Sequence, residues 1–311
     1  MKLLIAGAFG YGNLGDNAVR DAELAFAASR GLTATWAAPA DYPVDGYDAV
    51  AVGGGGILYD ADYENIANYC RYVEAAKLAG KKAAFVNVGT QGFRTPRGRA
   101  RMASALKAVD AISVRDPEDA IVLKALGAKD IFVAEDSAWA LNYPTARSCR
   151  AAGFAWRSFS ALGFDGAKYL AGAKQVADTF GASFYVTSKE DIAGLQAQGC
   201  HFTTAATLEE LAGKYDSTIV ACTRFHGVVS AISAGVEPIV CYRGAKDDGK
   251  CARIMHRLGL RGVDIESRGW PKVLEDLFKQ GPIKRDWQGL AAVMKKKAAD
   301  GMEFAFSVLK D

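Results

Sequence analysis

The sequence predicts an α/β fold of two doubly wound domains, each with a parallel sheet covered by helices. Short apolar runs typical of buried parallel strands alternate with stretches of helical spacing along the chain. The alternation breaks once, at Asn142–Arg150, where Pro144 lies among polar residues. The chain has 311 residues, of which 50% are hydrophobic, so each half is large enough to bury its own core.

The first half alternates six predicted strands with four predicted helices. The first strand, Lys2–Ala8, is an apolar run that ends among glycines, as buried parallel strands often do. The other predicted strands are Leu32–Ala38, Asp48–Gly53, Lys82–Val88, Ala111–Val114 and Ile131–Ala134. Helical spacing covers a stretch that ends near Ser29, then Tyr63–Ala79, Arg97–Val109 and Glu118–Leu126.

The second half repeats this organisation and ends in a long helix. Its predicted strands are Ala151–Arg157, Ala182–Thr187, Ser217–Ala221 and Glu237–Tyr242. Its predicted helices include Gly166–Phe180, Leu208–Lys214, Gly227–Ala234, Gly249–Leu258 and Trp270–Lys279. Apolar residues from Trp287 to Leu309 then recur at steps of three and four, which predicts one buried helix face. We therefore expect Rossmann-like domains at residues 1–146 and 147–285 that face a cleft, and a C-terminal helix at 286–311 that could cross back.

The composition narrows the classes of function. The net charge of +3 is too small to predict a nucleic-acid partner. The cysteines and histidines are scattered, which favours reduced thiols in a cytosolic protein and predicts no metal site. No apolar run approaches the roughly 20 residues of a membrane span. We expect a cytoplasmic protein with at most peripheral contact with the inner face of a membrane, although Lys295–Lys297 fits a solvated helix face better.

The loop after the first strand has the pattern of a nucleotide-binding turn. Gly10, Gly12 and Gly15 match G-x-G-x-x-G between a strand and a helix. Dinucleotide binding also needs an acid at the end of the next strand, and none occurs before Asp41, which disfavours NAD. Asp16 follows the last glycine, where it could cap the helix or take a proton from a substrate hydroxyl. Both interpretations of Asp16 remain open.

A second glycine loop, Gly53–Gly56, follows the third predicted strand. Glycines allow a backbone to approach a ligand closely, and they also allow a tight turn. Four in succession at a strand end favour the ligand interpretation.

The second half carries a cationic cluster. Arg224 and His226 open a predicted helix, where the helix dipole disfavours positive charge. A bound anion would reverse that cost. Arg157 ends the first strand of this half, so the topology would place it beside Arg224, and two guanidinium groups suit a carboxylate and a phosphate. His201 and His256 have ordinary contexts and are interpreted as structural or solvated.

Taken in order, these segments resemble the polysaccharide pyruvyl transferases, whose members are similar to two-domain glycosyltransferases of the GT-B architecture. The resemblance spans nearly the whole chain. It is carried by Gly12–Asp16, Gly53–Leu58, Ser113–Asp116, Asp136–Ala138, Arg157 and Arg224–His226.

The resemblance implies a transferase that moves the pyruvyl group of phosphoenolpyruvate onto hydroxyls of a saccharide during cell-surface or extracellular polysaccharide synthesis. It implies phosphoenolpyruvate binding by Arg157, Arg224 and His226, with His226 as the acid that protonates the methylene carbon. Asp16 is the candidate base. The acceptor, which could be lipid-linked, is expected near Arg115 and the loop residues Gly12, Asn13, Gly15, Gly54, Gly55 and Gly56. No cofactor and no metal are expected beyond the donor substrate.

The chain departs from the family pattern at three places. Asn17 stands where many members have glutamate, and the segments Val88–Phe93 and Tyr242–Lys246 match only loosely. The alternatives are a GT-B glycosyltransferase that uses a nucleotide sugar and a non-catalytic ligand-binding relative. A nucleotide-sugar enzyme would need a ribose-binding acid after His226, and the sequence shows none there. A non-catalytic relative would have no need to retain Arg157, Arg224 and His226, so their presence argues against it.

Overall fold

The computed structural model describes residues 1–38, 43–147, 150–157, 159, 166–244 and 249–310. Asp41 and Lys246, named above, lie outside these residues. The chain divides into two units. Unit 1 comprises Met1–Tyr11, Asp16–Leu141 and Ala292–Asp311, and unit 2 comprises Gly12–Gly15 and Asn142–Ala291.

Unit 1 is built on a six-stranded parallel sheet in the order β2-β1-β3-β4-β5-β6. The strands are β1 (Lys2–Ala6), β2 (Thr33–Ala37), β3 (Ala49–Tyr59), β4 (Lys82–Gly92), β5 (Ala111–Val114) and β6 (Ile131–Val133). The helices are α1 (Leu14–Ser29), α2 (Tyr63–Leu78), α3 (Pro96–Ala108) and α4 (Pro117–Ala125). The strand order reverses between β1 and β3, and ligands of such sheets bind at the carboxyl ends of the strands where this happens.

Local sequence explains where these helices begin. The side chains of Thr95 and Asp116 accept hydrogen bonds from backbone N–H groups in the first turns of α3 and α4, and each is followed by proline at the first helical position. The hydrophobic core on one side of the sheet includes Leu4, Val50 and Phe85.

Unit 2 has a second six-stranded parallel sheet, in the order β12-β11-β10-β7-β8-β9. The strands are β7 (Arg150–Ala155), β8 (Ser183–Tyr185), β9 (Phe202–Thr203), β10 (Ser217–Cys222), β11 (Glu237–Tyr242) and β12 (Gly262–Asp264). The helices are α5 (Gly166–Phe180), α6 (Ile192–Ala197), α7 (Leu208–Gly213), α8 (Phe225–Ser233), α9 (Gly249–Leu258) and α10 (Trp270–Lys279). Its strand order reverses between β7 and β10.

Aromatic contacts in unit 2 connect β7 to β8, and the residue after β7 to α10. Phe154 stacks on Phe184 with ring centroids 5.0 Å apart, and Trp156 stacks on Trp270 at 5.7 Å. A final helix, α11 (Trp287–Lys310), begins in unit 2, and from Ala292 onward its residues belong to unit 1. Within the described ranges, no helix combines the length and hydropathy that a membrane crossing requires.

The predicted fold class is confirmed, since the chain forms two α/β domains with parallel sheets. The structure differs from the sequence-based expectation at three glycine-containing segments that were expected to form loops of unit 1. Gly53–Gly56 continue β3 instead of forming a loop, and Val88–Gly92 likewise continue β4. Gly12–Gly15 belong to unit 2 although Leu14 and Gly15 already form the start of α1, and Asn13 forms an isolated β-bridge with Ser188.

Candidate active site

The two predicted arginines occupy matching places at the point in unit 2 where the strand order reverses. Strands β7 and β10 are parallel neighbours in which Ala155 pairs with Cys222. Arg157 and Arg224 each follow that pair by two residues. The Thr223 hydroxyl accepts a hydrogen bond of 2.6 Å from the backbone N–H of Arg157, which ties the two strand ends together.

Both guanidinium groups converge on one carboxylate oxygen. Glu190 Oε1 lies 2.5 Å from Arg224 Nη2 and 3.9 Å from Arg157 Nη2. The neighbouring Asp191 lies with Oδ2 2.9 Å from Arg224 Nε and 2.8 Å from Nη2. The four side chains therefore form a cluster of two positive and two negative charges. We call it the arginine–carboxylate cluster.

Electrostatics keep Arg224 and Glu190 charged. Burial lowers the pKa of Arg224, but the charge of Asp191 and the hydrogen bond to Glu190 raise it more, so its pKa ends above the ordinary value. Burial raises the pKa of Glu190, while the hydrogen bond from Arg224 and the charges of both arginines lower it more, so its pKa ends below the ordinary value. This ion pair therefore persists at neutral pH.

His226 lies in the first turn of α8 and is held by a glycine. The helix begins after Arg224, whose side chain does not cap it. His226 is only 9% exposed, and its ring meets Phe225 edge-on at 5.4 Å between centroids. A Cβ atom on Gly15 would overlap the imidazole and lie 2.6 Å from the Cβ of His226. His226 therefore rests directly against the Gly15 backbone.

The glycine loop reaches this position through backbone pairing. The Leu14 N–H donates to the Thr187 carbonyl at 2.9 Å, and the Lys189 N–H donates to the Gly12 carbonyl at 3.1 Å. The Asn13 side chain accepts a 2.9 Å hydrogen bond from the Gly15 N–H. Gly12–Gly15 thus pair with the segment that carries Glu190, and the structure brings them beside His226.

In unit 1, the glycines of β3 accommodate the protein's own side chains. A Cβ on Gly53 would lie 2.8 Å from the Cδ of Glu23, one on Gly54 would overlap Val19, and one on Gly56 would lie 2.7 Å from Arg115 Nη2. These glycines differ from the ligand-contacting loop expected from the sequence, because side chains of unit 1 already pack against their backbone.

Gly55 is the exception within this run. Its φ is +74°, and the nearest atom to a Cβ added there would be Asp16 Oδ1, at 3.9 Å. Asp16 is half-buried near the start of α1. Burial, and to a smaller extent the charge of Asp16, raises the pKa of Tyr69. Asp16 and Gly55 therefore lie together near the carboxyl end of β3.

Arg115 lies beneath the strand ends and not on the surface. It is 2% exposed, and its Nη1 lies 3.1 Å from Asp136, while its Nε lies 3.9 Å from Asp119. A Cβ on Gly89 would lie 2.7 Å from its Cζ. This placement favours support of the β3 and β4 backbones over direct contact with an acceptor.

Two carboxylates of the arginine–carboxylate cluster and one buried acid were not predicted from the sequence. Glu190 and Asp191 follow β8 in a short 3-10 turn, and two successive acids at a strand end were the available signal. Glu23 is fully buried, and burial is the main cause that raises its pKa. Among the described residues no group of His, Cys, Asp and Glu has the arrangement of a metal site.

The chain is similar in sequence to one protein family and in fold to a set of solved structures. A sequence model of the family described as polysaccharide pyruvyl transferase matches residues 13–244, well over half of the chain. No curated protein matches.

Solved structures match the fold at low identity. The glycotransferase of kitacinnamycin is 11% identical, with a TM-score of 0.58 over 99% of this chain and 97% of the other. A UDP-GlcNAc 2-epimerase from Methanocaldococcus jannaschii is 9% identical, with a TM-score of 0.58 over 95% and 100%. An enzyme described as a putative UDP-N-acetylglucosamine 2-epimerase from Listeria monocytogenes is 14% identical, with a TM-score of 0.56 over 96% and 94%. These similarities show a GT-B-like fold alone.

Proposed function

Because the chain belongs to the polysaccharide pyruvyl transferase family, we propose that it transfers the pyruvyl group of phosphoenolpyruvate to hydroxyls of a saccharide. The observation that carries this proposal is the convergence of Arg157 and Arg224 on a single carboxylate oxygen at the β7–β10 reversal. His226 opens the helix that follows β10, directly after this pair of strand ends.

The proposed donor fits the chemistry of this cluster. Phosphoenolpyruvate presents a carboxylate and a phosphate, and guanidinium groups bind both through paired hydrogen bonds. The carboxylate of Glu190 already occupies the space between the arginines, which supports a site of that size and charge preference. The start of α8 adds backbone N–H groups and a dipole that favour an anion.

The proposed reaction begins with a proton transfer. His226, as imidazolium, donates its proton to C3 of the enol, which becomes a methyl group, and positive charge develops at C2. A saccharide hydroxyl then attacks C2 and loses its proton to a base, for which Asp16 is the candidate. The second hydroxyl then attacks the same carbon while the C2–O bond to phosphate breaks. Its proton passes to the departing phosphate, and the products are inorganic phosphate and a ketal.

The test measures phosphate release from phosphoenolpyruvate in the presence of saccharide acceptors. We expect His226→Ala and Arg224→Ala each to lower turnover by about 100-fold or more, which is the usual scale for a positioned acid. His201→Ala and Arg150→Ala are matched controls, since both residues are exposed and neither belongs to the cluster. Variants of His226 or Arg224 that keep near-wild-type rates would contradict the assignment.

A ligand panel separates this proposal from a nucleotide-sugar transferase. A ligand that binds only the folded state raises the free energy of unfolding by about 2.7 kcal/mol at a hundredfold excess over its dissociation constant. We expect stabilisation by phosphoenolpyruvate that Arg224→Ala abolishes. Stabilisation by nucleotide sugars alone would assign the chain a different donor.

A further inference from the structure

The two carboxylates that bind Arg224 are held very differently. The side chain of Asp191 is fully buried, and its Oδ2 contacts both Nε and Nη2 of the guanidinium. The side chain of Glu190 is 41% exposed and reaches Arg224 through one oxygen. Asp191 is therefore a fixed partner that orients Arg224, whereas Glu190 is open to solvent and can swing away from the guanidinium.

The Glu190 oxygen lies where a substrate oxygen that contacted the Nη2 atoms of both arginines would bind. It is within 4 Å of a terminal nitrogen of each, at 2.5 Å from Arg224 and 3.9 Å from Arg157. An oxygen of a bound carboxylate or phosphate would need the same place. Two anionic oxygens cannot share it, so a substrate must displace Glu190.

We propose that Glu190 is an internal competitor that sets the specificity of the arginine–carboxylate cluster for highly charged anions. With Glu190 in place, the two positive and two negative charges balance, and an approaching anion gains little electrostatic stabilisation. Once Glu190 moves away, Arg157, Arg224 and Asp191 carry one net positive charge. A phosphorylated carboxylate gains enough charge-assisted hydrogen bonds to replace Glu190, whereas a monocarboxylate such as pyruvate only exchanges one carboxylate for another. The substrate class named here rests on the proposed function, but the competition itself does not.

The experiment measures dissociation constants of inorganic phosphate, phosphoenolpyruvate and pyruvate by titration calorimetry for wild-type protein and Glu190→Gln. We expect Glu190→Gln to bind phosphate and phosphoenolpyruvate at least about tenfold more tightly, which corresponds to about 1.4 kcal/mol. The selectivity for phosphoenolpyruvate over pyruvate should fall. Glu275→Gln is the matched control, because Glu275 pairs with Lys272 and Lys279 on α10 and its loss changes the net charge equally.

A second variant separates the two carboxylates. Asp191→Asn should weaken phosphate binding, since Arg224 loses its fixed partner, whereas Glu190→Gln should strengthen it. Steady-state kinetics give a further reading, in which Glu190→Gln lowers the KM for phosphoenolpyruvate. Unchanged or weaker phosphate binding by Glu190→Gln, or no phosphate binding by either protein, overturns the proposal.

The outcomes distinguish this inference from the proposed function. If Glu190→Gln binds phosphate more tightly but neither protein binds or turns over phosphoenolpyruvate, the competition by Glu190 is supported and phosphoenolpyruvate is refuted as the donor. If both proteins turn over phosphoenolpyruvate and bind phosphate with equal affinity, the proposed donor is supported and the role of Glu190 is refuted.

Discussion

Replacement of Gly15 by alanine should damage catalysis through His226 alone. The new Cβ would overlap the imidazole and lie 2.6 Å from the Cβ of His226, whereas carbon atoms in contact normally lie about 3.5–4.0 Å apart. The nearest ring atom, Nδ1, would lie closer still to the new Cβ, so the ring must move by at least about 1 Å. Displacements of that size at a reacting group can cost about 100-fold in rate, so we expect Gly15→Ala to lower kcat by about that factor.

The assay is phosphate release from phosphoenolpyruvate, analysed for kcat and KM separately, with thermal unfolding measured in parallel. Gly249→Ala is the matched control, because a Cβ at Gly249 meets nothing within 4 Å. The double variant Gly15→Ala/His226→Ala should be no slower than His226→Ala, since the two changes act on one interaction. A Gly15→Ala protein with a kcat within about threefold of wild type, or additive losses in the double variant, would refute the reasoning.

Two further predictions concern the stability of unit 1. Glu23 is buried, and burial, partly offset by its hydrogen bond to Ser137, raises its pKa well above 4.5. The contribution of protonated Glu23 to the free energy of unfolding is therefore fully present below pH 4.5 and is lost as pH rises through the folded-state pKa. In urea unfolding, the stability of Glu23→Gln relative to wild type should consequently increase between pH 5 and pH 8. Parallel pH profiles would contradict this. Gly54→Ala should be destabilising by about 1–3 kcal/mol more than Gly92→Ala, because both have positive φ but only Gly54 has a neighbour, Val19, in the way of a Cβ.

The fold could be predicted because its signal is local. Apolar strand runs and helical spacing are properties of neighbouring residues, and they are sufficient to predict two α/β domains with parallel sheets. Short elements escape prediction where few residues carry the pattern, as in β9 (Phe202–Thr203) and β12 (Gly262–Asp264). The extension of β3 through Gly56 escapes it because glycines are typical of turns.

The place of the arginines was predictable, while their partners were not. Arg157 and Arg224 follow strands, and parallel sheets carry their ligands at that end. Glu190 also follows a strand, but its contact with Arg224 depends on the conformation of one 3-10 turn. The pair of acids after the strand is a weak signal, because solvated acids occur in the same pattern.

The glycine runs show why the surroundings of the glycine loops could not be predicted from the sequence. The sequence predicts glycine positions where a ligand approaches the backbone, and at Gly15, Gly53 and Gly56 something does approach it. In each case the approaching group is a side chain of the same chain, namely His226, Glu23 and Arg115. The missing Cβ has the same physical meaning in both interpretations, because it makes room next to the backbone. Whether that room admits a substrate or a residue from a distant segment is decided by tertiary contacts that leave no trace in the local sequence.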